Sequence, residues 1–127
     1  MEIRYTVVLS MLAGAALGAA AIEGLHTQAK PPVYTVSEIQ ITNLDDYLKE
    51  FAPVAQASIR SAGGTFIAGG PGTSLEGAPP ATRITIQKWD SLEQAKAWRN
   101  GADYRKAREI GDKYAKFRAM AVEGSPQ

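Results

Sequence analysis

Five side chains in this sequence are of the types that bind or transform a small organic molecule. They are Tyr34, Glu38, Arg83, Trp98 and Tyr104. A carboxylate beside a phenol can move a proton on an acidic C–H or phenolic substrate, and an arginine can bind the resulting anion. Tyr34 and Glu38 are separated by an even number of positions, which places them on one face of a strand. We therefore predict that all five side chains reach one cavity between a sheet and its helices.

Each of these residues also has an ordinary structural role available to it. The three aromatic residues can be core side chains that each have one satisfied polar atom. Glu38 and Arg83 can form a pair across neighbouring strands. The sequence leaves both interpretations open.

The composition excludes several other kinds of site. The sequence has no cysteine, which excludes disulfides, thiolate chemistry and cysteine-bearing zinc sites. Its single histidine, His26, lies outside the predicted domain, so we expect no metal site and no cofactor. Fourteen Lys and Arg against thirteen Asp and Glu give a net charge of +1, without the basic excess of a phosphate-binding surface. We therefore expect no nucleic-acid partner.

The N-terminal part differs in character from the rest of the chain. Residues 6–22 form an uncharged apolar run between Arg4 and Glu23, which is typical of a signal peptide or a short membrane anchor. We predict that residues 1–22 are such a segment, an apolar helix outside the domain that contacts the membrane through residues 6–22 if it is not cleaved. Residues 23–32 end in two prolines and are a predicted linker. The protein is accordingly expected to be exported, periplasmic or membrane-tethered.

Residues 33–124 contain the elements that must position the candidate side chains, and residues 125–127 are a tail. Runs of β-branched and alternating residues predict four strands, at 33–41, from 65 to 68 into a glycine-rich segment, at 82–89 and at 119–123. Apolar residues at helical spacing predict a helix over 44–62 that is kinked near Pro53 and ends at Gly63. A second helical region is predicted from Ser91 to about residue 117, with a break at 100–101.

The resulting order is β-α-β-β-α-β, which predicts an α+β domain of the ferredoxin-like type. Apolar residues occur on both faces of the first strand, with Tyr34 and Val36 on one face and Val33 and Ile39 on the other. Two helices cover only one face of a four-stranded sheet. Because so short a domain buries only a small core by itself, we predict a homodimer.

Several short motifs occur in a characteristic order between Pro32 and Gly124. They are Pro32-Val33-Tyr34, Ala62-Gly63-Gly64, Gly69-Gly70, Leu75-Glu76-Gly77, Arg83, Trp89-x-Ser91, Ala95-x-Ala97-Trp98, Tyr104 and Val122-Glu123-Gly124. In this order and spacing they resemble domain-of-unknown-function family 1330 (DUF1330) of the dimeric α/β-barrel superfamily. The resemblance implies a homodimer with sheets packed face to face, in which each subunit keeps a cleft between sheet and helices. The chain departs from the family pattern at residues 100–104, where a serine commonly precedes the tyrosine.

Three classes of function are consistent with these observations. The first, which we favour, is a module outside the cytoplasm that binds a small molecule in the cleft. The second is a cofactor-independent oxygenase or isomerase, since distant relatives in the superfamily use such clefts for oxygenation, isomerisation or haem breakdown. The third is a structural or stress-related dimer without a ligand.

Overall fold

The computed structural model describes residues 30–126, and the described residues from Pro31 onward form one compact unit. The predicted signal peptide or anchor of residues 1–22, and most of the linker of residues 23–32, lie outside the described residues. Among the helices of residues 30–126, none is long and apolar enough to cross a membrane.

A four-stranded antiparallel sheet forms the centre of the domain. Its strands are β1 (Val33–Ile41), β2 (Thr65–Gly70), β3 (Arg83–Trp89) and β4 (Ala115–Glu123), in the order β2-β3-β1-β4. The two central strands pair over most of their length, from Val33 opposite Trp89 to Ile39 opposite Arg83. This topology, with helices between β1 and β2 and between β3 and β4, is the ferredoxin-like arrangement that the sequence predicts.

Helix α1 covers residues 44–61 and has three consecutive parts. An α-helical turn (Leu44–Asp46) leads into a π-helical turn (Tyr47–Phe51), which is followed by a regular α-helix (Ala52–Ser61). Asn43 caps the start by accepting a hydrogen bond from the Asp46 backbone N–H at 3.1 Å. Pro53, near which a kink is predicted, lies in the first turn of the regular α-helix, directly after the π-helical turn. Gly63, with a φ of 87°, ends the helix in the predicted left-handed conformation.

Helices α2 (Leu92–Asn100) and α3 (Ala102–Gly111) connect β3 to β4. Ser91 caps α2 by accepting the Gln94 backbone N–H at 3.1 Å, and the Gln94 side chain accepts the Asp90 N–H at 2.8 Å. The break predicted at residues 100–101 separates the two helices.

The sequence-based boundary between the last helix and β4 is wrong by several residues. The helical pattern extends to Phe117, but α3 ends at Gly111 and β4 already begins at Ala115. The reason is that Ala115 and Phe117 are two positions apart on a strand, so both side chains lie on the helix side of the sheet. Strand β2 runs into the glycine-rich segment, as the sequence predicts, and ends at Gly70.

The two faces of the sheet have different environments. On β1, Val33, Thr35, Ser37 and Ile39 are buried under the helices, whereas the residues between them are partly exposed. A cluster of aromatic and small residues fills the space under the helices, with Trp89 only 1 % exposed. Gly64 belongs to this packing, because a Cβ atom there would lie 2.6 Å from the Trp89 ring. The opposite side of the sheet, here called the open face, carries no helix of the described part of the chain, although Gly72 of the loop after β2 lies close to Ile84 there.

Candidate functional site

A cleft lies between the helix-facing side of the sheet and the helices. Its interior volume is about 30 Å³, enough for one or two water-sized groups, since a single water needs roughly 10–15 Å³. The cleft is bounded by both central strands and by all three helices. Its lining includes Ser37, Tyr47, Phe51, Gln56, Phe66, Arg83, Thr85, Gln87, Trp98, Tyr104 and Phe117.

Polar side chains line the sheet side of this cleft, where an ordinary core would be apolar. Ser37, Thr85 and Gln87 are 5 %, 7 % and 2 % exposed, and they lie on the adjacent strands β1 and β3. Arg83 is on the same face of β3, four residues before Gln87. Burying polar groups costs free energy unless they find partners. This row of polar residues under the helices is the reason to consider the cleft a candidate site.

Arg83 supplies the positive charge of the cleft. Its Nε atom is buried and has no hydrogen-bond partner among the described residues. Within residues 30–126, the two ion pairs are Arg108–Asp112 and Arg118–Glu38, and neither involves Arg83. The guanidinium carbon lies 6.0 Å from the centre of the Tyr47 ring. Arg83 is thus a partly buried cation that lacks a neutralising carboxylate in the described part of the chain.

Tyr47 is a buried phenol beside Arg83. Burial raises the pKa of Tyr47 to about 12, although the positive charge of Arg83 acts in the opposite direction, and nearby Tyr104 adds to the rise. The phenol therefore keeps its proton at neutral pH. It can donate a hydrogen bond to a ligand oxygen, but it is a poor general base.

Trp98 and Tyr104 form an aromatic wall where α2 meets α3. Their ring centres are 4.5 Å apart, and Trp98 also lies 5.0 Å from Trp89. The indole N–H of Trp98 donates to the Ser58 hydroxyl at 3.0 Å, which fixes the ring orientation. Both aromatic residues line the cleft, as the sequence analysis expects, and they supply flat apolar surface there.

The other two predicted site residues, Tyr34 and Glu38, do not reach the cleft. They alternate with the buried residues of β1 and so belong to the open face, where Glu38 pairs with Arg118 of β4 at 3.3 Å. The structure therefore brings together Arg83, Trp98 and Tyr104, and the predicted convergence of all five residues is wrong for Tyr34 and Glu38. The physical reason is that strand alternation identifies residues that share a face but does not identify which face the helices cover.

Sequence reasoning missed several polar residues of the cleft. In the sequence, Ser37, Thr85 and Gln87 look like ordinary polar positions of alternating strands. Tyr47 looks like one of the apolar positions of an amphipathic helix. One signal was present, because Arg83, Thr85 and Gln87 share one face of β3 while Ile84 and Ile86 share the other. On a sheet with apolar residues on both faces, that polar row marks the cleft.

The arrangement can hold a small molecule by an oxygen atom. Its lining residues offer a guanidinium, two side-chain amides and several hydroxyls, and they include no carboxylate and no histidine within residues 30–126. The described part of the chain also has no group of three metal-ligating side chains. Donors of this kind stabilise a carbonyl or an oxyanion.

Comparisons with known proteins agree with this fold. Residues 32–125 match the model of a family described as domain of unknown function (DUF1330). A search of curated proteins finds no match to the chain.

Solved structures are similar in fold at low sequence identity. A protein of unknown function from Rhodopseudomonas palustris is 10 % identical, with a TM-score of 0.62 over 83 % of this chain and 92 % of that one. SnoaB, a cofactor-independent oxygenase from Streptomyces nogalater, is also 10 % identical, with a TM-score of 0.57 over 76 % and 96 %. A dimeric ferredoxin-like protein of unknown function from Bacteroides fragilis is 12 % identical, with a TM-score of 0.54 over 73 % and 96 %.

Proposed function

This chain belongs to the DUF1330 family, and from that premise we propose that its cleft binds a small planar molecule through a carbonyl or anionic oxygen. One observation carries the proposal, namely that the Nε atom of Arg83 is buried without a hydrogen-bond partner in the described part of the chain. A buried donor without a partner costs about 1–3 kcal/mol. A ligand oxygen beside Arg83 would supply the missing partner.

The walls of the cleft define the rest of the ligand. Trp98 and Tyr104 are buried aromatic walls, Phe66 is half-buried, and the interior volume of about 30 Å³ admits only a small group. The geometry therefore favours a ligand with a compact oxygen-bearing head that enters the cleft and a flat ring that packs at its mouth.

Replacing Arg83 by Gln should weaken the binding of benzoate, a flat aromatic carboxylate, by about tenfold or more. Hydrogen bonds to charged groups contribute about 1.5–3 kcal/mol, and 1.4 kcal/mol corresponds to tenfold. Titration calorimetry measures the affinity directly. The matched control is Arg118→Gln, because the Arg118 side chain is 77 % exposed and lies on the open face. Equal benzoate affinity in wild type and Arg83→Gln would contradict the proposal, and so would the absence of binding to wild type.

Cofactor-independent oxygenation is the second candidate function. The donors that would hold an oxyanion are compatible with it, and SnoaB has a similar fold. We place it second because the described lining residues include no carboxylate or histidine, the usual general bases. A substrate of such an enzyme would have to lose its proton without a carboxylate or histidine general base from these residues. Oxygen uptake with an added hydroquinone would favour this function over simple binding.

We also propose that two copies of the chain pack their open faces together. Apolar side chains on this face include Val36, Ile84, Ile86, Met120 and Val122, of which Met120 and Val122 are 40 % and 57 % exposed in the single chain. Contiguous exposed apolar surface of this kind is typical of an interface. The dimeric description of the Bacteroides fragilis protein supports the proposal.

Export of the domain remains a proposal that rests on residues 6–22. A fusion of residues 1–32 to a reporter that is active only outside the cytoplasm should be active, because the uncharged run has the character of an export signal. A silent, soluble reporter would contradict it. N-terminal sequencing of the mature protein distinguishes cleavage from anchoring.

A further inference from the structure

A chain of hydrogen bonds connects the buried core to the cleft. The indole N–H of Trp89 donates to the Thr35 hydroxyl at 2.9 Å, and the Thr35 hydroxyl donates to the Gln87 side-chain oxygen at 2.8 Å. Trp89, Thr35 and Gln87 are 1 %, 6 % and 2 % exposed. All three groups are therefore shielded from water, so each depends on the others for its hydrogen bonds.

The direction of this chain is set by its first member. An indole nitrogen can only donate a hydrogen bond, so the Thr35 hydroxyl must accept from Trp89. The Thr35 hydroxyl can then donate its own proton in a second hydrogen bond. Gln87 is the acceptor of that proton in residues 30–126. If the Gln87 amide were reversed, its NH₂ group would face Thr35 and the buried hydroxyl proton would have no acceptor. That loss, about 1–3 kcal/mol, holds the amide in one orientation.

We infer that Thr35 is a positioning residue that makes the cleft selective for ligands whose head group accepts hydrogen bonds. With the Gln87 oxygen engaged by Thr35, the NH₂ group is the part of the amide left for a ligand. Gln87 and Arg83 lie on the same face of β3 and both line the cleft. The ligand head therefore meets donors from both residues. Carbonyls, carboxylates and phenolates satisfy such a site, whereas an amine or amide N–H leaves the donors unpaired.

This inference rests on the proposed function, and it concerns the choice among ligands rather than binding itself. Two probes of similar size separate these questions. Benzoate presents only acceptors, and aniline, which is uncharged in neutral buffer, presents N–H donors. Wild type should prefer benzoate. Thr35→Val removes the hydroxyl but keeps the side-chain shape, so the Gln87 amide becomes free to turn, and the preference should fall by about tenfold.

Two further variants separate positioning from packing. Thr35→Ser restores the hydroxyl and should restore the wild-type preference. Thr42→Val is the matched control, because it makes the same exchange at an exposed threonine whose hydroxyl donates to the Tyr114 carbonyl, and it leaves Gln87 and the cleft untouched. It should keep the preference for benzoate. A Thr35→Val protein that binds benzoate and aniline in the wild-type ratio would overturn the inference while leaving the proposed function intact.

The orientation of the amide can also be measured without any ligand. In an NMR spectrum of the labelled wild-type protein, we compare the nuclear Overhauser effects from the Gln87 side-chain NH₂ protons to different residues. Those to the Thr35 side chain should be no stronger than those to other residues of the cleft. NH₂ protons in closest contact with Thr35 would overturn the inference even if neither probe binds. If the amide has the expected orientation but benzoate does not bind, the result would contradict the proposed function and not the orientation of Gln87.

Discussion

Replacing Trp89 by Ala should lower the free energy of unfolding by about 3–5 kcal/mol, the usual cost of removing a buried tryptophan. Trp89 is 1 % exposed, packs 5.0 Å from the Trp98 ring and lies against the backbone of Gly64. Its removal leaves a cavity and takes the indole donor away from Thr35. Native proteins have a free energy of unfolding of only about 5–15 kcal/mol, so the variant should be barely stable as a folded protein.

Urea unfolding followed by far-ultraviolet circular dichroism measures this loss without relying on tryptophan fluorescence. Leu75→Ala is the control, since Leu75 is 97 % exposed and surface changes of this kind stay within about 0.5 kcal/mol. Similar losses of stability in the two variants would contradict a stabilising role for the buried Trp89 side chain.

Replacing Ile86 by Asp should convert a dimer of this protein into monomers at micromolar concentration. Ile86 lies in the middle of the open face, opposite Val36 of β1 and Ala68 of β2. In a face-to-face dimer related by a two-fold axis, the two new carboxylates would both be buried near the centre of the interface. Burying unpaired charges costs several kcal/mol each, so the dissociation constant should rise by about a hundredfold or more.

Analytical ultracentrifugation of wild type and variant gives the masses directly, and circular dichroism confirms that the variant is still folded. Leu48→Asp is the matched control, because Leu48 is a 42 % exposed apolar residue of α1 outside the open face. It should leave the dimer unchanged. A wild-type monomer, a dimer that survives Ile86→Asp, or equal dissociation by Leu48→Asp would contradict packing through the open face.

The order of elements could be predicted from the sequence because each depends on local chemistry. Asn43 and Ser91 are N-cap residues that indicate where two helices begin, and Gly63 indicates where the first one ends. The alternation from Arg83 to Trp89 indicates strand β3. The end of α3 could not be predicted in this way. Apolar residues at 114 and 117 continue the helical spacing of α3, and only the pairing of β4 with β1 shows that residue 117 belongs to a strand.

The candidate site was predictable only in part, because it depends on which face of the sheet the helices cover. Val33 and Ile39 share their face of β1 with the polar Thr35 and Ser37, so β1 alone does not show which side is buried. On β3 the usual rule is reversed, since Thr85 and Gln87 are buried and the isoleucines face outward. That inversion could be interpreted only once the helices were placed over the polar face of β3.

An NMR titration of the arginine side-chain Nε–H signals with benzoate is the most direct measurement of whether Arg83 binds a ligand oxygen in the cleft. We expect one Nε–H signal, absent in Arg83→Lys, to move progressively to lower field as benzoate accepts its hydrogen bond. The indole N–H signal of Trp98, at the wall of the same cleft, should move with it. An Arg83 signal that stays in place while benzoate perturbs only other arginines, or none, would contradict the account.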